Sequence, residues 1–259
     1  MTPSPQPPQS ALHPARMGLE PLPLEEWLRP QAGDAALLAE RAHLIAAYGA
    51  DVVATMPNAE AAVAELAALL TQRGIEIVPG DGSLLTLAAV GRAIAEDLCI
   101  LTPAADGSYI LTAGALCFPN RWRLRDKIGS NVLAVHGPVP EYAGELSTAV
   151  DRFLARLKPE RAYLRRNWGL ASSPDLFLPE PTPPVDPRND DAAIYLRCED
   201  QSFLKLPETG AVIFSIRTTV TPWRDTPADL RTEILRVIAD LNHPWLTYKS
   251  INWGQSKNS

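Results

Sequence analysis

The chain is poor in cysteine. Cys99, Cys117 and Cys198 are the only three in 259 residues, far apart and without Cys-x-x-Cys spacing. This disfavours a disulfide framework, a cysteine-rich zinc site and an iron–sulfur cluster. Histidine is nearly as scarce, at four residues. No apolar run approaches the roughly 18 residues of a membrane helix, and the N-terminus lacks a basic region leading into an apolar one. A soluble, cytoplasmic protein is therefore expected. Positive charge is also short: a formal net charge of -6 argues against wholesale nucleic-acid binding. There is no Gly-x-Gly-x-x-Gly loop to cradle a dinucleotide pyrophosphate.

Hydrophobic residues make up 46% of the chain, enough at this length for a sizeable core. Residues 1–23 hold seven prolines and read as a mobile tail, because each proline removes a backbone donor. A single α+β domain is expected over 24–250, followed by a tail at 251–259. Its first part, 24–97, reads as mainly helical, with apolar spacing near 3.6 in helices beginning at Asp34, after Asn58 and near Leu84. From Leu98 the period shifts toward two. Runs at 98–102, 109–118, 131–136, 163–170, 193–205 and 211–221 predict strands, with helices over 141–157 and 227–241. Strands packed with segregated helices make the fold α+β.

Alternation in the last two strands gives a face code. Tyr195, Arg197, Glu199, Gln201 and Phe203 share one face of the first strand, and Leu196, Cys198 and Leu204 the other, read as buried. In the next strand Val212, Phe214, Ile216 and Val220 face the core, while Ser215, Arg217 and Thr219 face away. The polar face suits either solvent or a ligand.

One histidine stands in a setting that often holds a metal. His136 ends the run Leu133-Ala-Val-His and opens into Gly-Pro-Val-Pro, a stiff backbone, with Tyr142 and basic residues nearby in sequence. A strand-end histidine bonded to backbone remains the plain alternative. His13, His43 and His243 read as structural or solvated.

Several pieces recur in a characteristic order: Leu116-Cys-Phe-Pro119, Trp122, Lys127-Ile-Gly129, His136-Gly-Pro-Val-Pro140 with Tyr142, Asp151-Arg-Phe153, Arg166-Asn-Trp168, Arg197-Cys-Glu-Asp-Gln201, Leu206-Pro-Glu-Thr-Gly210 and Ile216-Arg-Thr218. In this order the chain, from about Trp27 to Lys249, resembles the heme-dependent oxidative N-demethylase family, which includes proteins like the heme subunit of dimethylamine monooxygenase. The resemblance implies a PAS-like antiparallel sheet whose packed helices form a cage for heme b. That heme would be non-covalent, since the chain has no Cys-x-x-Cys-His attachment run. The implied reaction is oxidative N-demethylation of a small secondary amine, with O2 as oxidant and formaldehyde released. Electrons from NADPH would arrive through partner reductase chains carrying FMN and an iron–sulfur centre.

The cofactor would carry the hard chemistry, leaving the protein to supply a ligand, a slot, cations and a group that orients the amine. Under this reading His136 is the axial ligand. Lys127, Arg166, Arg197 and Arg217 are candidates to meet the propionates, although each could be an ordinary surface charge. Trp122, Trp168 and Phe118 could wall the slot or simply fill a core. Glu199 could bind the substrate ammonium and later accept its proton, or pair with Arg197 or Arg217 at the surface. Tyr142 could donate a hydrogen bond toward oxygen in the site, or open its helix as a buried residue. Two other functions stay open: a non-catalytic PAS-like heme or small-ligand sensor, and a module holding an organic acid between Arg197 and Arg217.

Overall fold

Seven strands form a single antiparallel sheet across the described residues, in the order β1-β5-β6-β7-β3-β4-β2. They are β1 (Glu20–Leu22), β2 (Val53–Thr55), β3 (Asp97–Pro103), β4 (Tyr109–Ala115), β5 (Ala162–Ala171), β6 (Tyr195–Lys205) and β7 (Val212–Pro222). The helices are α1 (Asp34–Tyr48), α2 (Glu60–Gln72), α3 (Ser83–Ala93), α4 (Val132–Val135), α5 (Ser147–Arg156), α6 (Ala228–Asp240) and α7 (His243–Tyr248). The computed structural model describes residues 18–135, 137, 139–140, 147–189 and 192–254. Among these, no helix is long and apolar enough to cross a membrane.

The α+β character expected from the sequence is present, but the sheet is covered on both faces. Register settles which residues share a side: Phe203 lies opposite Phe214, Gln201 opposite Ile216, and Asn167 opposite Glu199. The apolar positions of β7 therefore lie on the same face as the polar positions of β6. On the other face Leu204 lies opposite Ile213 and Asp200 opposite Arg217. One core gathers α1–α3 with Leu204, Leu206 and Ile213. A second joins Trp168 and Leu196 to Ile234 and Ile238 of α6. A third, with Phe153, Leu154, Phe203 and Phe214, includes residues of α4 and α5. The sequence reading of one buried face per strand is thus corrected, since alternation cannot show one face from two when both are packed.

The same register overturns a shared site for Arg197 and Arg217. Arg197 lies opposite Val220 and Arg217 opposite Asp200, so the two guanidinium groups leave the sheet on opposite sides.

The predicted strand at 131–136 is also corrected over its described part. Asn131 makes an isolated bridge to Ile110, and α4 follows at once. Asn131 Oδ1 accepts a hydrogen bond from Ala134 N at 2.8 Å. A capping side chain here outweighs the strand preference of the valines.

At the inner edges of the two expected tails the described residues make sheet contacts. Glu20–Leu22 pairs with Leu164–Ala162, and Pro21 is tolerated because β1 is an edge strand. Ile251 bridges Val185 and is buried.

One buried ion pair ties the helical layer to the end of β4. α1 and α3 cross where Gly91 has no Cβ; one built there would lie 3.1 Å from Ala115 Cβ and 3.2 Å from Ile45 Cδ1. Arg41, fully buried, donates from Nε to Gly91 O at 2.7 Å and from a terminal nitrogen to Asp97 Oδ1 at 2.6 Å. The Asp97 carboxylate also accepts from Cys117 N at 2.6 Å and Phe118 N at 2.9 Å. The backbone leaving β4 is thereby fixed, and Phe118 with it.

Candidate functional site

A cavity of about 450 Å³ lies on the sheet face that carries Glu199 and Phe214. Most of its wall is apolar, including Leu101, Leu111, Leu116, Val132, Val135, Phe153, Leu154, Phe203 and Phe214. Polar side chains add Lys127, Arg121, Arg165, Asn167, Glu199, Gln201, Tyr248 and Lys249. This combination suits a largely apolar ligand that carries charged groups.

Glu199 is the only carboxylate among the described lining residues. Its Oε2 accepts hydrogen bonds from Gln201 Nε2 at 2.8 Å and Asn167 Nδ2 at 3.1 Å. Arg197 Nε stands 3.9 Å from Oε1, an ion-pair distance beyond hydrogen-bond reach. Alternation places all three side chains of this group on one face, because Gln201 is two residues along β6 and Asn167 is the cross-strand partner of Glu199.

Three loops converge at the polar wall. Arg121 N donates to Leu178 O at 2.6 Å, and the Arg121 guanidinium donates to Ser250 Oγ and lies 5.9 Å over the Tyr248 ring. Val185 N donates to Ser250 O at 2.9 Å, joining the proline-rich connection to the C-terminal segment. Arg121 itself holds a positive φ of 62°, uncommon for a side chain of its size.

Lys249 is buried beside the open part of β5. Since β1 pairs only with Ala162–Leu164, the carbonyl of Trp168 meets no partner from that strand. Lys249 Nζ donates to Trp168 O, lies 4.6 Å over the Trp168 ring, and reaches Asn167 Oδ1 at 3.5 Å. Burial pushes its amine down to about 7, with the nearby Glu199 acting in the opposite direction. Burial likewise raises the Tyr248 phenol, with Glu199 adding to the effect, and lowers Arg121.

The sequence candidates divide. Lys127, Trp122, Trp168, Phe118 and Glu199 line the cavity. Arg166 and Arg217 lie on the opposite sheet face: Arg166 is paired with Glu20 and with Asp200 at 3.3 Å, and Arg217 with Asp34 and with Glu96 at 2.8 Å. Arg197 is a strut, 1% exposed, donating to Phe118 O at 2.6 Å and Leu176 O at 3.1 Å. It holds the loop behind Glu199 and is not among the lining residues. His136 and Tyr142 lie outside the described residues. The other candidate histidines of the described part, His43 and His243, are exposed and do not line the cavity.

Sequence reasoning missed Arg121, Arg165, Tyr248 and Lys249 as site residues. Arg165 and Asn167 carry the same two-residue period as Glu199 and Gln201, a signal that becomes visible once the register is known. Nothing in the local sequence marks Lys249.

Among the described residues no group of three or more His, Cys, Asp or Glu side chains could hold a metal ion. A family model described as "Haem-dependent oxidative N-demethylase, alpha subunit-like" matches residues 69–256, nearly three quarters of the chain. The match spans α3 to α7 and all the described polar residues of the cavity wall.

Proposed function

Because the chain belongs to the haem-dependent oxidative N-demethylase, alpha subunit-like family, we propose that it removes an N-methyl group from a small secondary amine such as dimethylamine. Balanced, the amine, O2, two electrons and two protons give the primary amine, formaldehyde and water. The observation that carries this reading is Glu199, the only carboxylate among the described lining residues, held by two amides in a largely apolar cavity.

The lining fits heme b. Its apolar macrocycle matches the wall of Leu101, Leu111, Phe153, Phe203 and Phe214, and its carboxylates suit the cations Lys127 and Arg121. His136 would hold the heme iron; Val135 and Val139, which bracket it in sequence, both line the cavity. Tyr142 is proposed as a hydrogen-bond donor toward the site. When bound, heme would supply the oxidative chemistry on O2.

The described side chains would do the rest. A secondary amine is an ammonium at neutral pH, and Glu199 is the group to bind it and to take up its proton. Asn167 and Gln201 hold the carboxylate in place, and the apolar wall would strengthen the attraction by lowering the local dielectric. NADPH-derived electrons would come from a partner reductase carrying FMN and an iron–sulfur centre. The PAS-like heme cage would be built on β3 to β7, which, numbered among themselves in chain order, lie as 2-1-5-4-3.

The test is amine-dependent formaldehyde release by heme-loaded protein supplied with a reductant and O2. Release that requires both the amine and heme is expected. Heme binding without turnover of any secondary amine would favour the sensor reading.

A further inference from the structure

Resting on the reading of Glu199 as the amine's partner, we propose that Arg165 and Lys249 are positioning residues that fix the orientation of the two amides holding that carboxylate. Asn and Gln side chains are nearly symmetric in shape but not in charge: one end donates two N–H bonds and the other only accepts. Against a carboxylate only the amino end is attractive; the flipped amide would set oxygen against oxygen. Something must therefore select the orientation.

In each case a cation meets the carbonyl end. An Arg165 terminal nitrogen donates to Gln201 Oε1 at 3.0 Å, and Gln201 Nε2 then donates to Glu199 Oε2 at 2.8 Å. From the other side Lys249 Nζ donates to Asn167 Oδ1 at 3.5 Å, and Asn167 Nδ2 donates to the same Oε2 at 3.1 Å. The sheet sets this spacing, because Arg165 lies opposite Gln201 and Asn167 opposite Glu199. Lys249 arrives from beyond α7 at the part of β5 that β1 leaves uncovered. While protonated, Lys249 is a donor only, so it meets the carbonyl end of the Asn167 amide.

The carboxylate is thereby divided. Oε2 is occupied by two amides, whereas Oε1, with Arg197 Nε 3.9 Å away, keeps its capacity to accept N–H donors from a ligand. Loss of either cation frees one amide to flip, which disturbs Oε2 and turns a carbonyl oxygen inward. Amine binding then suffers while the apolar wall that would hold heme is untouched.

The experiment follows the side-chain amide signals of Asn167 and Gln201 by 15N–1H correlation NMR of the full chain in a diamagnetic state, alongside titration with dimethylammonium chloride. Arg165→Met is expected to move the Gln201 signals and leave those of Asn167 in place, and Lys249→Met the reverse. Each variant should weaken dimethylammonium binding about tenfold or more. In a Gln201→Leu background Arg165→Met should add nothing, because the arginine acts through that amide. If burial makes Lys249→Met unfold, Arg165→Met carries the same test. Amide signals that stay put in a folded Arg165→Met variant, or additive losses in the Gln201→Leu background, overturn the inference. If the amide signals move as expected but the wild-type chain binds no dimethylammonium, the amine reading fails and the positioning roles stand.

Discussion

Asn167 and Glu199 are cross-strand partners in β5 and β6, and Asn167 Nδ2 donates to Glu199 Oε2 at 3.1 Å. A pair placed by the ladder itself cannot drift unless the sheet does. This gives a charge the fixed geometry that ion recognition requires, on the face that also carries Phe203 and Phe214.

The first prediction follows from that carboxylate. Glu199→Gln keeps the shape but removes the charge, so heme should stay bound while turnover falls by about 10² or more, the scale of losing an acid–base group. Amine-induced shifts of the heme spectrum should weaken in parallel. Near-normal formaldehyde production in this variant would remove Glu199 from the chemistry.

A second prediction separates the histidines. His136→Ala should abolish or greatly weaken heme binding, whereas His43→Ala and His243→Ala, at exposed positions outside the cavity, should keep the Soret band. An unchanged spectrum from folded His136→Ala protein would assign the ligand to another residue.

Lys249 yields a dependence of stability on pH. Its amine titrates near 7 in the folded chain against an ordinary value of 10.5. Between these limits the unfolded chain carries a proton that the folded chain lacks, so stability contributed at this position rises with pH. Below about 7 both states are protonated and above 10.5 neither is, so the slope vanishes on each side. Urea unfolding of wild type relative to Lys249→Met should therefore show a gain approaching 1.4 kcal/mol per pH unit, about the value of one full proton, across pH 7.5–9. Parallel stability curves for the two proteins would contradict a neutralised, buried amine.

A fourth prediction concerns Arg41 and Asp97, a pair with both side chains fully buried. Asp97→Asn leaves the guanidinium without its counter-charge and weakens the hold on Cys117 N and Phe118 N. A loss of about 3–5 kcal/mol is expected from chemical denaturation. A loss below about 1 kcal/mol would mean that the pair does not organise the end of β4.

The long strands were legible in the sequence because alternation survives wherever one face is polar: β6 and β7 begin and end within two residues of the expected ranges. The assignment of faces was not, since β7 is apolar toward the cavity and polar toward α1, where Arg217 finds Asp34. Glu199 stands out in the sequence as a candidate by its place among alternating polar positions, and it lines the cavity. Lys249 and Arg121 were not, because their roles arise only when segments distant in sequence close around the uncovered part of β5. The run at 131–136 misled for a local reason: the Asn131 cap decided the backbone, and valine preference did not.

The visible absorption spectrum of the purified chain, supplied with heme during expression and then titrated with dimethylammonium, tests the central claim most directly. A Soret band from about one non-covalent heme b per chain, released by acid–acetone and shifted by the amine in wild type but far less in Glu199→Gln, is the expected result. A colourless protein that also fails to take up added hemin would contradict the account.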